Sequence, residues 1–164
     1  VKNITFDNFF DYVEQSRREY LSIIDTSDID LSGLQRAGGK VILYHGLADP
    51  VIAPSGTISY YDRVRAVTPD IEDFFRFFEL PGIHHCTGGP GAFPTQAMNK
   101  LVEWVENSEA PDTLVGQTTA NTTRLLCLYP KVATLRPNAG NNTNDASSYV
   151  CSDSFDQGLI DDCE

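Results

Sequence analysis

Phe6, Phe9, Phe10 and Val13 recur at the i, i+3, i+4, i+7 spacing that places side chains on one face of a helix. The pattern predicts an amphipathic helix over residues 7–22, with Asp7 as its N-cap. A dibasic pair, Arg17-Arg18, falls inside it, where helical structure would shield it from processing. Residues 25–39 carry scattered Asp, Ser and Gly and read as a connection with a short helical turn near Leu31–Gln35, ended by Gly38-Gly39. Val41-Ile42-Leu43-Tyr44 is an unbroken apolar run, as expected of a strand covered on both faces. It leads into a loop, His45-Gly46-Leu47-Ala48-Asp49-Pro50. Ile58, Tyr61, Val64 and Val67, three apart, predict a helix over 55–67. Phe74-Phe75-Arg76-Phe77-Phe78 is a second apolar run, and the loop after it, opened by Pro81-Gly82, carries His84-His85-Cys86. Ala97, Leu101, Trp104 and Val105 mark the clearest helix, over 94–107, with Pro94 suited to its start.

Helix and strand thus alternate as in the βαβ units of a parallel sheet. Two such strands leave exposed edges, so the remaining strands must come from another chain or segment. The expected fold class is α/β: the carboxy-terminal part of an α/β-hydrolase fold, with the last strands and helices of a mostly parallel sheet. Residues 1–110 carry that part of the catalytic domain. Residues 111–164, rich in Thr, Asn, Ser and Asp, read as a polar, disulfide-tethered extension of the same domain. The chain shows no internal repeat.

Charge narrows the partners. Among 164 residues, Asp and Glu number 23 against 12 Lys and Arg, a formal charge of −11. Such a surface repels phosphate backbones and anionic membranes, so neither nucleic acid nor membrane is an expected partner. No apolar run approaches the roughly 20 residues of a membrane span. Val1 is followed by no signal peptide, which fits a start after processing or after a preceding stretch. Three Asn-x-Ser/Thr sequons, at Asn3, Asn121 and Asn141, favour a secreted, extracellular glycoprotein. The four cysteines, Cys86, Cys127, Cys151 and Cys163, lack the close spacing of a zinc or redox site and read as disulfide cysteines.

Chemistry collects beyond the carboxyl ends of strands in open α/β sheets. Asp49 follows the first strand and the His84-His85 pair follows the second, which is the acid-then-base order of an α/β-hydrolase triad. Asp49-Pro50 is also an ordinary turn former, and a loop histidine is usually a surface residue. His84 and His85 compete for the role of base; His45, at a strand end, is a third candidate better suited to local hydrogen bonding. A nucleophile elbow, Gly-x-Ser-x-Gly, is absent. Ser32-Gly33 and Ser55-Gly56 lack the strand-turn-helix setting, and Gly88-Gly89-Pro90-Gly91 lacks the Lys-Ser/Thr of a phosphate loop.

The stretch Gly39-Lys40-Val41-Ile42-Leu43-Tyr44-His45-Gly46-Leu47-Ala48-Asp49-Pro50 resembles the fungal tannase/feruloyl esterase family, as does Pro81-Gly82-Ile83-His84-His85-Cys86-Thr87-Gly88-Gly89-Pro90-Gly91. The family carries a Cys-Ser pair, an Asp and a His-Cys pair, and the cysteine beside the serine is bonded to the one after the histidine. The resemblance implies that Asp49 is the triad acid and His85 the base, in preference to His84. It makes Cys86 the disulfide partner of a cysteine beside a nucleophilic serine on the amino-terminal chain of the same precursor. Such a bond would hold nucleophile and base at a fixed separation. Cys127 is paired here with Cys151; the partner of Cys163 is left open. The segments bearing the serine, the oxyanion hole and the lid are not in this sequence. Some fungal tannases are two chains cut from one precursor, so the resemblance leans toward tannase.

The function expected is part of a secreted serine carboxylesterase hydrolysing galloyl esters and depsides of tannins through an acyl-enzyme. The rivals are a feruloyl or chlorogenate esterase with the same triad, and a non-catalytic interaction module that keeps the fold. No cofactor is expected in the chemistry; a structural calcium is expected only in the lid, outside this chain. The expected partners are the amino-terminal chain and a phenolic ester.

Overall fold

The structure, a computed structural model, describes residues 3–85, 87–137, 139–140 and 142–153. Cys86, Asn141 and Cys163 lie outside the described residues.

Four helices and six strands follow one another in the order α1 (Phe9–Ile24), α2 (Ser32–Arg36), β1 (Val41–Gly46), α3 (Pro54–Val67), β2 (Phe75–Leu80), α4 (Ala97–Asn107), β3 (Thr113–Gln117), β4 (Thr123–Cys127), β5 (Val132–Leu135) and β6 (Tyr149–Ser152). β1 and β2 pair in parallel, from Val41 opposite Phe75 to Gly46 opposite Leu80. β1 continues two residues past the apolar run, so His45 belongs to the strand and not to the loop.

Alternation along β2 explains why apolar residues occupy both of its faces, with Arg76 and Glu79 the exceptions. Phe75 and Phe77 face α3, where they pack with Tyr61 and Val64. Phe78 and Leu80 face the other way, onto Ile83, Leu114, Leu126 and Leu128. Both faces are therefore covered, as parallel sheets require. Burial pushes the Tyr61 phenol up to about 12, and its hydroxyl donates to the Phe75 carbonyl at 3.1 Å. Trp104 of α4 is buried with Lys40 and Arg76 over its ring, and Arg76 pairs with Asp112 at 2.6 Å.

Two expectations need correction at helix starts. α1 begins at Phe9 with Asn8 as N-cap residue, not Asp7. The Asn8 side chain does not cap the helix; it accepts from the Thr5 N–H at 2.7 Å and donates to the Asn3 carbonyl at 2.8 Å, closing the preceding turn. Pro94 lies in a turn ahead of α4, whose first residue is Ala97.

The larger correction concerns the residues after 110. They form two antiparallel pairs, β3 with β4 and β5 with β6, where a polar tail was expected. β3 alternates buried Leu114 and Gly116 with exposed neighbours. Gly116 is there because a Cβ would crowd Ala92, its nearest atom 2.8 Å away. The chain leaving β4 then docks on the main sheet: Leu128 bridges Phe78 in antiparallel fashion, and the Tyr129 N–H donates to the Phe77 carbonyl at 2.8 Å. Cys127 and Cys151 are bonded, linking β4 to β6 across a separation of 24 residues. A crosslink closing a loop of that length stabilises by about 3 kcal/mol in the chain-entropy treatment.

Candidate active site

The ends of β1 and β2 are pressed together by glycine. A Cβ on Gly46 would collide with the Ile83 carbonyl and sit 2.5 Å from the His84 carbonyl. With only hydrogen there, the two loops meet main chain to main chain. The Leu47 N–H donates to the Leu80 carbonyl and the Ala48 N–H to the Ile83 carbonyl, each at 3.0 Å. The loop after β2 folds back on itself through Gly82 (φ 75°) and Gly89 (φ 82°), backbone conformations that glycine adopts without strain. The Gly91 N–H closes it on the Gly82 carbonyl at 3.1 Å, and the His84 N–H donates to Gly88 at 3.2 Å. The His84 ring is folded onto Gly89. His85, one residue on, reaches Asp49.

The Asp49 side chain is 3% exposed and is met from four directions. Oδ1 accepts the N–H groups of Val51 at 2.8 Å and Ile52 at 2.9 Å. Oδ2 lies 2.8 Å from Nδ1 of His85 and 3.2 Å from Nε2 of His45. Burial alone would raise the carboxyl, but the Ile52 N–H, the His85 imidazole and the Val51 N–H together hold it well below the usual carboxylate range. Asp49 is therefore ionised at neutral pH. An anion at that distance fixes the hydrogen of His85 on Nδ1 and leaves Nε2 with a lone pair. The His85 side chain is about half exposed, at 47%. A cavity of about 300 Å³ opens beside it, lined by Tyr44, Gly46, Leu80 and Ile83 as well as Asp49 and His85.

This arrangement is a carboxylate–imidazole pair. Among the described residues no hydroxyl or thiol is hydrogen-bonded to the His85 ring. Ser32 lies in α2 and Ser55 in the first turn of α3. His45 does bond locally, as its position suggested, to Thr57 Oγ1 at 2.7 Å and to the Ile52 carbonyl at 3.2 Å. Its approach to Asp49 was not foreseen; the four-residue separation of the two was the available signal. Among the described residues no group of three or more His, Cys, Asp or Glu side chains is placed to hold a metal ion. Asn3 and Asn121 are both exposed, Asn121 on the turn between β3 and β4. No helix is long and apolar enough to cross a membrane among the described residues.

The chain is similar along nearly all its length to known proteins. A family model described as tannase and feruloyl esterase matches residues 1–152. The mono(2-hydroxyethyl) terephthalate hydrolase of Piscinibacter sakaiensis is 37% identical over 129 residues, covering 74% of this chain and 21% of that protein. A probable feruloyl esterase of Arthroderma benhamiae is 35% identical over 166 residues, covering 94% of this chain and 30% of the relative. Among solved structures, the tannin acyl hydrolase of Aspergillus niger superposes with a TM-score of 0.78 at 28% identity, over 97% of this chain and 30% of that one. The chain thus spans less than a third of the length of these relatives, and its strands and helices are a portion of an α/β-hydrolase-like fold. A family match over residues 1–152, with relatives 37% and 35% identical, leads to one conclusion: the chain belongs to the tannase and feruloyl esterase family.

Proposed function

We propose that this chain is the carboxy-terminal part of a secreted serine carboxylesterase, to which it supplies the triad acid, Asp49, and the base, His85. The observation that carries the reading is the 2.8 Å contact between His85 Nδ1 and a buried Asp49 carboxylate at the ends of two adjacent parallel strands. A serine hydroxyl is a poor nucleophile until a base takes its proton. His85 Nε2 would accept that proton as the serine oxygen attacks the ester carbonyl, and the imidazolium would be stabilised by Asp49. His85 would then protonate the departing alcohol. Water, deprotonated by the same nitrogen, would release the acid from the acyl-enzyme.

The nucleophile belongs to the amino-terminal chain or segment of the same precursor. Cys86 is assigned to a disulfide with the cysteine beside that serine, and non-reducing peptide mapping of Cys86 tests the assignment. A Cys86 peptide mapping to any other cysteine, or to none, would overturn it. The chemistry needs no metal or cofactor from this chain. The substrate class is the ester of an aromatic acid, with galloyl esters and depsides of tannins first. The similarity to the Aspergillus niger tannin acyl hydrolase, over 97% of this chain, supports that choice. The Arthroderma benhamiae relative, covering 94% of the chain, favours a second reading, a feruloyl or chlorogenate esterase.

The test is hydrolysis of methyl gallate and methyl ferulate by the complete protein carrying His85→Ala or His84→Ala. Loss of turnover in the first variant only is the expected result, and the larger wild-type kcat/KM names the acid. Turnover that survives His85→Ala moves the base elsewhere. A complete protein inactive on every ester would make this fold an interaction module.

A further inference from the structure

Asp49 is contacted by two imidazoles, and the dyad uses one. His45 is the second, and its surroundings fix which nitrogen carries the hydrogen. Nε2 faces acceptors only, the Ile52 carbonyl at 3.2 Å and Asp49 Oδ2 at 3.2 Å. A lone pair on Nε2 would oppose two oxygens, so Nε2 is the donor. Nδ1 of the neutral ring is then an acceptor, and it lies 2.7 Å from the Thr57 hydroxyl. Thr57 is on α3, the helix that carries the chain from β1 back to β2. The ring is 13% exposed and its backbone is held in β1, opposite Glu79. Hydrogen bonds therefore run in one direction, from Thr57 of α3 through His45 to the Ile52 carbonyl, and the same Nε2 stands 3.2 Å from the oxygen of Asp49 that also faces His85.

We propose that His45 is a positioning residue of the ester hydrolysis, holding the Asp49 carboxylate in the rotation that points Oδ2 at His85, with Thr57 fixing its tautomer. The proposal rests on the esterase reading above. Two backbone N–H groups hold Oδ1, and both come from the loop that Asp49 itself begins. They can turn with that loop. His45 bonds the Ile52 carbonyl of that loop and stands 3.2 Å from Oδ2, and it is itself held by two regular elements, β1 and α3, which cannot turn. A carboxylate fixed at both oxygens presents His85 with a single direction, and orientation of the base is where such a site gains rate. His45 touches neither substrate nor a reacting atom, so its effect belongs in turnover and not in substrate binding.

The test uses the complete esterase, with methyl gallate and methyl ferulate as probes. His45→Leu removes the donor and is expected to lower kcat by about ten- to a hundredfold, the usual scale for a partner that orients a functional side chain. KM should stay within about twofold. His45→Gln, whose carboxamide can donate to the same oxygen, should restore most of the loss. Thr57→Val exchanges one hydroxyl for a methyl and should lower kcat by about threefold, which keeps the test open if His45→Leu does not fold. Unchanged kcat in His45→Leu or in Thr57→Val, a loss confined to KM, or a glutamine variant as defective as the leucine variant would each overturn the assignment. Failure of the wild-type protein to hydrolyse either ester, or survival of activity in His85→Ala, would instead remove the esterase reading on which it stands.

Discussion

β1 and β2 are paired residue for residue yet live in different surroundings. Phe75, Phe77, Phe78 and Leu80 of β2 are all 4% exposed or less, whereas every residue of β1 but Gly46 retains accessible surface and Tyr44 is 37% exposed. β2 has a neighbour on each side, β1 and the chain at Leu128; among the described residues β1 has only β2. α1 belongs with the unfinished side. Its sequence is amphipathic, but none of its side chains is buried, and Phe10, Ile23 and Ile24 are 68%, 74% and 71% exposed. One region is a closed core; the other, on the reading proposed above, is a joint. The Asp49–His85 pair straddles them, with Asp49 beyond the end of the open strand and His85 beyond the end of the closed one.

The largest effect should appear at that seam. Asp49→Asn keeps the shape of the carboxylate but removes its charge and its hold on the Nδ1 hydrogen. On the esterase reading, turnover of methyl gallate by the complete protein should fall by about 10⁴-fold, as when the acid of a serine protease triad is made an amide. A variant with near-normal kcat would take Asp49 out of the triad. Next comes the contrast between core and joint. Phe77→Ala should cost about 3–5 kcal/mol in denaturant unfolding, because the closed region cannot refill the cavity. Phe10→Ala should cost about 1–3 kcal/mol in the complete protein if the α1 face is covered there. A loss below about 0.5 kcal/mol would mean α1 stays in water and the region is no joint. Replacing both Cys127 and Cys151 by Ser should remove about 3 kcal/mol, read as a lower melting temperature; an unchanged melt would show that β4 and β6 hold without the bond.

The smallest effect lies in acid. The folded state holds the Asp49 carboxyl below its unfolded value of about 3.9. Its contribution to stability is therefore fully present above that value and is lost as pH falls through the lower, folded one. The stability difference between the wild type and Asp49→Asn should narrow as the solution is acidified below about pH 4. A difference that stays constant throughout the acid range would contradict the hold described for this carboxylate.

Much of the parallel half was legible because its residues report burial directly. Phe74 to Phe78 and Val41 to Tyr44 carry apolar residues on both faces, with Arg76 the single exception, and the strands fall where those runs are. The antiparallel half was not legible, for a reason visible in β3. Its inward positions are Leu114 and Gly116, and a glycine leaves no hydrophobic mark even where the backbone is tightly packed. β5 is only four residues long, Val132–Leu135, too short to show an alternation. At the candidate site, the placement of Asp49 after one strand and His85 after the other was readable from order and spacing alone. That His85 rather than His84 meets Asp49 depends on a loop folded through Gly82, Gly89 and Gly91, a shape that no periodicity encodes.

The anchoring of Asp49 by the main chain has a consequence for how such a site can diversify. Val51 and Ile52 hold the carboxylate through their N–H groups while their side chains stand 66% and 52% exposed beside it. Gly46 similarly sets the approach of the two loops through backbone alone. The machinery is therefore written in atoms every residue but proline possesses, and the neighbouring side chains are left open to selection. A lineage can rewrite that rim without disturbing the Asp49–His85 pair. Directed evolution aimed at new esters would find its permissive positions there, at Val51 and Ile52, and its forbidden one at Gly46.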